Sequence, residues 1–243
     1  MTNDPRFEPH DISWSAETAS RLWRYYSTSL HHQRKYFGQQ SGEEVAALLD
    51  RKLFGKATEI LDFSCGKGDL IRACLSRLKP NQHIHGADIS PASVLAAESQ
   101  NRSHPSFSGT KSFERYPLPF DDAKFDLVIA TEVVEHLTGE ELADGFGEIW
   151  RLLLPGGYIF LTTPHRENLD AEKTQCPECG CTFHRWQHIQ SWTIEALLAT
   201  VEGHGFRSLE CRNIQWGPWL LKCYFKLAGR AGNGIYYIGQ KPL

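Results

Sequence analysis

The 243-residue sequence lacks features that mark several classes of protein. No apolar run approaches the roughly 18 residues of a membrane span, and the first residues lack the basic and apolar segments of a secretion signal. A net charge of −3 supplies no basic field for nucleic acid. No internal repeat or low-complexity segment is present. We therefore expect a single cytoplasmic domain, with nucleic acid disfavoured as a partner.

A glycine of the dinucleotide fingerprint is also missing. Residues 60–63 read as an apolar strand that enters a turn with Gly66 and Gly68, followed by an amphipathic helix. The fingerprint G-x-G-x-x-G needs a third glycine where this chain has Ile71, so pyrophosphate binding is disfavoured. Two glycines still allow a backbone with unpaired N–H groups to approach a ligand closely. The turn therefore predicts a cofactor site of another type.

Three further segments follow in a fixed order. A second strand pattern ends in Asp88, about 20 residues on, where a carboxylate can accept hydrogen bonds from ribose hydroxyls. Residues 116–130 contain Leu-Pro-Phe and lead into another strand, and residues 154–161 contain Pro-Gly-Gly before a further one. Together the four segments resemble the motifs of class I S-adenosylmethionine-dependent methyltransferases. Ser64 stands where that family usually has its first glycine.

The resemblance implies an α/β, Rossmann-like fold. Its seven-stranded, mostly parallel sheet has the order 3-2-1-4-5-7-6, with helices on both faces, and the nearly continuous apolar strands agree with a sheet that is buried on both faces. We expect an N-terminal helical cap over residues 1–57 and a methyltransferase domain over 58–243. That domain would carry a Cys/His insert at 170–190 and a hairpin insert at 216–231. Capping-box spacing predicts helix starts at Ser41 and Thr138.

The resemblance also implies S-adenosyl-L-methionine as the cofactor. The glycine turn would take its methionine end, Asp88 the ribose, and Glu114 the adenine amine. Tyr36 of the cap would cover the sulfonium or the adenine, or would simply pack within the cap. The expected cofactor-binding residues are Tyr36, Asp62, Phe63, Ser64, Cys65, Gly66, Gly68, Asp88, Ile89, Glu114, Thr131 and Glu132.

The segment after the fourth strand contains the candidate catalytic residues. It reads Glu-x-x-Glu-His, and a hydroxyl acceptor must lose a proton during methyl transfer, for which imidazole is a suitable base near neutral pH. We expect His136 and Glu132 to be catalytic. A structural histidine bonded to backbone explains His136 equally well.

The Cys/His insert predicts a structural zinc site. Cys176 and Cys179 form a Cys-Pro-x-Cys-Gly knuckle, and His184 and His188 could complete a tetrahedral Cys₂His₂ shell, with Cys181 as a competing fourth ligand. In a reducing compartment clustered cysteines favour a metal over disulfides. The alternative is three reduced cysteines in a loop with surface histidines.

A second metal interpretation uses different residues. The Glu-x-x-Glu-His pattern with a later His-x-x-x-Trp-Thr resembles the metal site of small-RNA 3′-terminal 2′-O-methyltransferases, with Glu132, Glu135, His136 and His188 as ligands. His188 cannot serve both metal sites unless they are one. We expect a methyltransferase for a small-molecule or glycan-type acceptor, modified at oxygen. The alternatives are the metal-dependent RNA enzyme and a non-catalytic, zinc-stabilised binding module.

Overall fold

A seven-stranded sheet forms the centre of the protein in a computed structural model that describes residues 7–218, 223–225, 227–228 and 231–243. The strands of the described residues are β1 (His10–Asp11), β2 (Glu59–Phe63), β3 (His83–Asp88), β4 (Phe107–Ser112), β5 (Phe125–Thr131), β6 (Leu153–Pro164), β7 (Lys173–Gln175), β8 (Cys181–His184), β9 (Arg207–Ile214) and β10 (Gly234–Gln240).

The large sheet is mixed and mostly parallel. Its strand order is β4-β3-β2-β5-β6-β10-β9, with the first five strands parallel and β10 antiparallel to both of its neighbours. Counted within this sheet alone, the chain order of these strands reads 3-2-1-4-5-7-6. The carboxyl ends of the parallel strands share one edge, where open α/β sheets bind their ligands.

Helices cover both faces of the large sheet. They are α3 (Phe37–Lys52), α4 (Asp69–Leu75), α5 (Pro91–Asn101), α6 (Gly139–Leu152) and α7 (Ile194–Gly203), and they follow α1 (Ala16–Thr28) and α2 (Leu30–Gln33) of the N-terminal cap. Ile60 of β2 lies in a core with α3 and α4, and its neighbour Leu61 lies in a second core with α6 and α7. Successive strand side chains point to opposite faces, so an uninterrupted apolar strand fills both cores.

Local capping signals explain one of the two predicted helix starts. Thr138 and Glu141 form the expected capping box at the start of α6. The start predicted at Ser41 is wrong, because α3 begins four residues earlier, after Tyr36, and Ser41 is buried within the helix. Packing of the first turn of α3 against α4 overrides the local signal, since a side chain added at Gly38 would lie 3.2 Å from Asp69 Cβ.

The cap contains more than helices. Its strand β1 pairs with β8, and β7 and β8 form an antiparallel hairpin within the predicted Cys/His insert. The small sheet thus joins the cap to the insert. The hairpin insert predicted at 216–231 lies partly outside the described residues, and within its described part Trp216 is buried against Phe37. Nowhere in the described ranges is a helix both long and apolar enough to span a membrane.

An ion pair on α6 holds the loop before β5. Glu148 is buried and accepts hydrogen bonds from Arg151 at 2.6 Å and from the Leu118 N–H at 2.7 Å. Arg151 also donates to the carbonyls of Leu118 at 3.2 Å and Phe120 at 2.9 Å. This pair fixes the loop that follows Glu114.

We expect the Glu148→Gln substitution to lower the free energy of unfolding by about 3 kcal/mol, because it removes the buried carboxylate partner of Arg151 and leaves this guanidinium with only the exposed carboxylate of Asp122. Urea unfolding followed by circular dichroism measures the loss. Asp144→Asn, at an exposed position one turn earlier on α6, is the matched control and should change stability by less than about 0.5 kcal/mol. Equal effects of the two substitutions would contradict this role of Glu148.

Candidate active site

The turn after β2 has a left-handed backbone at three positions. Ser64, Gly66 and Gly68 have φ angles of 64°, 52° and 78°. A Cβ at Gly68 would lie 2.7 Å from Asn101 Nδ2 and 2.9 Å from Ala97 Cβ, whereas a Cβ at Gly66 would meet no atom within 4 Å. Gly68 therefore permits packing of the turn against α5. Gly66 instead faces open space at the carboxyl edge of the sheet.

Asp88 connects this turn to the end of β3. Its Oδ2 accepts a hydrogen bond from the Gly66 N–H at 2.9 Å, and its Oδ1 accepts one from the Ser90 N–H at 2.8 Å. Burial raises the pKa of Asp88, and the two backbone hydrogen bonds oppose that shift. Each carboxylate oxygen can accept a further hydrogen bond, so Asp88 is fixed in place and still able to bind a hydroxyl pair.

Asp62 places a second carboxylate beside the turn. Its side chain is only 1% exposed, and Oδ2 has no hydrogen-bond partner. Burial raises the pKa of Asp62 well above its usual value, and the charge of Asp88 adds to the effect. Buried polar atoms rarely remain unpaired, so this oxygen indicates that a donor from outside the chain belongs here. The open turn, the fixed carboxylate of Asp88 and the unpaired oxygen of Asp62 fit the expected cofactor.

The cap covers the turn. Lys67 donates to the Ser27 carbonyl at 2.6 Å, and Gln39 of α3 donates to Asp69 at the start of α4. Burial raises the pKa of Tyr36 to about 12, and the charge of Asp88 adds to the effect. Tyr36 itself immediately precedes α3, the helix that carries Gln39.

The remaining expected cofactor residues surround the same edge. Phe63 and Cys65 are buried, and the Cys65 N–H donates to the Ala87 carbonyl at 2.9 Å. Ile89 is 55% exposed and Glu114 is exposed, two residues beyond the strand β4 that pairs with β3. These two side chains border the site without contributing to its buried part.

A buried acidic segment follows β5 at the same edge. Glu132 has a left-handed φ of 54° and accepts a hydrogen bond from Thr162 at 2.8 Å, and burial raises its pKa to about 7. Glu135 is 0% exposed; its Oε2 accepts from the Thr163 hydroxyl at 3.0 Å, but its Oε1 has no partner. Thr131 ends β5 opposite Thr162. The segment holds a second unpaired carboxylate oxygen.

His136 lies next to these carboxylates and beneath the cap. Burial lowers its pKa to about 3, and the neighbouring His188 adds to the effect, so the ring is neutral. Trp23 of α1 contacts His136 with 5.3 Å between ring centroids and Tyr36 with 6.2 Å. Trp23 and Tyr36 therefore form an aromatic roof that reaches the His136 ring.

His188 is held by a residue that the sequence analysis did not identify. Its Nδ1 lies 2.5 Å from Glu167 Oε2, and its ring is 4.9 Å from that of His136. Glu167 Oε1 also lies 3.6 Å from His184 Nε2. Glu167 belongs to no recognisable motif and lies 21 positions before His188, so only the fold brings the two together.

The predicted Cys₂His₂ site requires correction. The structure does not bring Cys176 and Cys179 to His184 and His188. In the β7-β8 hairpin His184 pairs with Lys173 at the open end, whereas the cysteines lie at the turn. Cys176 is three residues beyond Lys173, and because a strand rises about 3.4 Å per residue, the two ends of the hairpin are roughly 10 Å apart. Backbone N–H groups of Cys179 and Glu178 donate to Cys176 and lower the pKa of its thiol.

The histidines of this region lie close to carboxylates and not to the cysteines. In the part of the chain that the structure describes, the groups suited to a metal are Glu135 with His136 and His188, and Glu167 with His184 and His188. Three of the four ligands expected from the RNA-methyltransferase resemblance are therefore close together. The fourth, Glu132, turns its Oε1 toward Thr162.

Comparisons with known proteins agree with this geometry. Residues 61–159 match a family model described as a methyltransferase domain. The demethylmenaquinone methyltransferase of Chlorobaculum tepidum is 34% identical over 122 residues, which cover 49% of this chain and 47% of that protein. The mitochondrial ubiquinone biosynthesis O-methyltransferase of Saccharomyces cerevisiae is 25% identical over 126 residues, which cover 51% and 38%. The chain spans about half or less of the length of these relatives.

A solved structure shows the same fold over the whole chain. The 1,6-didemethyltoxoflavin-N1-methyltransferase of Burkholderia thailandensis, solved with S-adenosylhomocysteine, superposes with a TM-score of 0.67 at 14% identity and covers 100% of this chain and 98% of its own. The chain therefore shares the fold of this solved methyltransferase, and residues 61–159 match a methyltransferase domain.

Proposed function

We propose that the protein is an S-adenosylmethionine-dependent methyltransferase. The observation that carries the proposal is the buried pair of carboxylates beside an open glycine turn: Asp88 is fixed by two backbone N–H groups, and Asp62 keeps one oxygen unpaired. A nucleoside with an amino-acid end supplies both a hydroxyl pair and an ammonium donor. The match of residues 61–159 to a methyltransferase domain supports the same assignment.

In this proposal the cofactor lies along the carboxyl edge of the sheet. Residues 62–68 hold the methionine end, with Asp62 facing its ammonium group, and Asp88 binds the ribose hydroxyls. Ile89, Phe63 and Glu114 border the adenine, while Tyr36 covers it from the cap. When bound, S-adenosylmethionine supplies a methyl group on a sulfonium. The chain holds that methyl group near Thr131 and Glu132 and excludes water with the aromatic roof.

We infer a small-molecule acceptor that is methylated at oxygen. One curated relative is named as an O-methyltransferase of ubiquinone biosynthesis, and the other as a methyltransferase for demethylmenaquinone, so both names refer to small quinone-type molecules. The net charge of −3 also disfavours a polyanionic acceptor. The contact of Trp23 with His136 supports an acceptor position under the aromatic roof, and we assign Glu132 and His136 as catalytic residues that contact the acceptor hydroxyl.

Release of S-adenosylhomocysteine in the presence of candidate acceptors measures the activity. Separate assays use phenols, sugars, and an RNA oligonucleotide with a free 3′-terminal ribose. Turnover on the small molecules supports the proposal, whereas turnover on RNA alone would show that the acceptor is RNA and not a small molecule. Tight cofactor binding without turnover on any acceptor would favour a non-catalytic module.

The Asp88→Asn substitution is expected to weaken S-adenosylhomocysteine binding at least tenfold, because it removes the charged acceptor for the ribose hydroxyls. Isothermal titration calorimetry gives the dissociation constant. Asp126→Asn is the matched control, since Asp126 also accepts two backbone N–H bonds, from Thr58 and Glu59, at the other end of the sheet. An unchanged affinity in the Asp88 variant would refute the ribose assignment.

Substitutions of the two turn glycines should separate binding from packing. Gly66→Ala projects a methyl group into the open cradle and should weaken cofactor binding at least tenfold, at a backbone cost of roughly 1–2 kcal/mol. Gly68→Ala creates steric overlap with Ala97 and Asn101. It should therefore lower the free energy of unfolding by roughly 1–3 kcal/mol in addition to the same backbone cost. Calorimetry and urea unfolding measure both quantities. Normal binding by the Gly66 variant would show that the cofactor lies elsewhere.

His136→Asn should lower kcat by about 100-fold, because the ring contacts the acceptor in this proposal. Cofactor affinity should remain that of the parent protein, since the expected cofactor contacts do not include His136. His31→Asn, on the exposed surface of the cap, serves as the control. Full activity of the His136 variant would remove this residue from the catalytic machinery.

A further inference from the structure

The turn of the β7-β8 hairpin carries two cysteines that the proposed function does not use. Cys179 is exposed and Cys176 is partly exposed. The Gly180 N–H donates to the Cys176 carbonyl at 2.9 Å and closes the turn, in which Gly180 has a left-handed φ of 79°. Cα atoms three residues apart in a turn lie less than about 7 Å apart, and a disulfide spans about 4.4–6.8 Å. The backbone therefore holds both cysteines at a distance that a disulfide can bridge.

The surroundings of Cys176 favour its thiolate form. The backbone N–H groups of Cys179 and Glu178 donate to the Cys176 sulfur and lower its pKa, and the Cys179 thiol is a further hydrogen-bond partner, so the two sulfur atoms are neighbours. The thiolate is the form of cysteine that attacks a disulfide. Burial raises the pKa of four other cysteines, namely Cys65, Cys74, Cys181 and Cys211.

The two thiols of this turn have no further ligand groups around them. A structural zinc site takes four ligands. In the ranges that the structure describes, the groups with three ligand atoms within 4.8 Å of one another consist of glutamates and histidines and contain no cysteine. Cys181, the third thiol of the segment, lines an apolar groove with Ile12 and Trp14. Cys176 and Cys179 are therefore arranged as a pair.

We propose that Cys176 and Cys179 form a redox-active dithiol that exchanges with low-molecular-weight disulfides of the glutathione type. The Cys176 thiolate attacks one sulfur of the oxidant, whose S–S bond breaks, and the released thiolate takes up a proton. Cys179 then loses its proton, attacks the Cys176 sulfur and displaces the second thiol. The protein loses two electrons and two protons, which convert the oxidant into two thiols.

The proposed redox site also contacts the cap. The Cys179 carbonyl accepts a hydrogen bond from the Glu8 N–H at 3.3 Å, and the Gly180 carbonyl accepts one from the His10 N–H at 3.3 Å. A Cβ added at Gly180 would lie 2.6 Å from the Glu8 carbonyl oxygen, so the chain packs tightly against this turn. Oxidation would thus constrain the turn to which β1 is bound.

Oxidation of the full-length protein tests the proposal and needs neither cofactor nor acceptor, so its failure is distinguishable from failure of the methyltransferase assignment. Reduced protein is incubated with mixtures of oxidised and reduced glutathione, alkylated, digested with trypsin and analysed by mass spectrometry. The peptide of residues 174–185 should lose two hydrogens, and fragmentation should assign the bond to Cys176 and Cys179. Dithiothreitol should reverse the change.

Two substitutions separate the roles of the three thiols. Cys181→Ser is the matched control and should oxidise like the parent protein. Cys179→Ser should stop with one glutathione bound to Cys176, because no second thiol displaces it. Circular dichroism checks that both variants are folded.

Alkylation kinetics of the parent protein provide a readout that depends on no variant. At pH 7, iodoacetamide should modify Cys176 at least tenfold faster than Cys211, because Cys176 has the larger thiolate fraction. Absence of an intramolecular disulfide at every glutathione ratio, or a disulfide that includes Cys181, would overturn the proposal. Zinc that is bound by the reduced protein without a histidine tag, and lost in a Cys176→Ser variant, would also overturn it.

Discussion

The hydrogen bond from the Gly66 N–H to the Asp88 carboxylate fixes the geometry on which the proposed cofactor site depends. Parallel pairing of β2 with β3 brings the ends of both strands to one edge, and this bond sets the turn against the second strand end. Since the Ser90 N–H holds the other oxygen, the carboxylate cannot rotate away. Gly66 can then leave its outer face open to a ligand while the turn itself stays rigid.

The sequence predicts the strands and turns around the proposed cofactor site, because there the signals are local. Apolar strands, the glycine turn and the acid at the end of β3 lie within short segments, and a parallel sheet must bring the ends of neighbouring strands together. The final hairpin, β9 and β10, occupies the end of the sheet where the resemblance implies it. The predicted start at Ser41 is wrong because packing of Gly38 against Asp69 extends α3 backward, which no capping pattern reveals.

The contacts around His136 and His188 could not be predicted in the same way, because they join distant segments. His184 and His188 follow the cysteines closely in sequence, yet the register of the β7-β8 hairpin separates them. Glu167, which has no motif around it, becomes their partner instead. The cap takes part as well, since Trp23 donates to Gln187 at 2.5 Å and contacts the His136 ring. Spacing along the chain carries no information about such contacts.

A crystal structure of the protein with S-adenosylhomocysteine bound tests the central claim most directly. The account predicts the ribose hydroxyls within hydrogen-bond distance of Asp88, the amino group of the ligand paired with Asp62 Oδ2, and the sulfur directed toward Glu132 and the Trp23 roof. A nucleoside bound outside the carboxyl edge of the sheet, or a carboxyl edge that remains empty at saturating ligand, would contradict it.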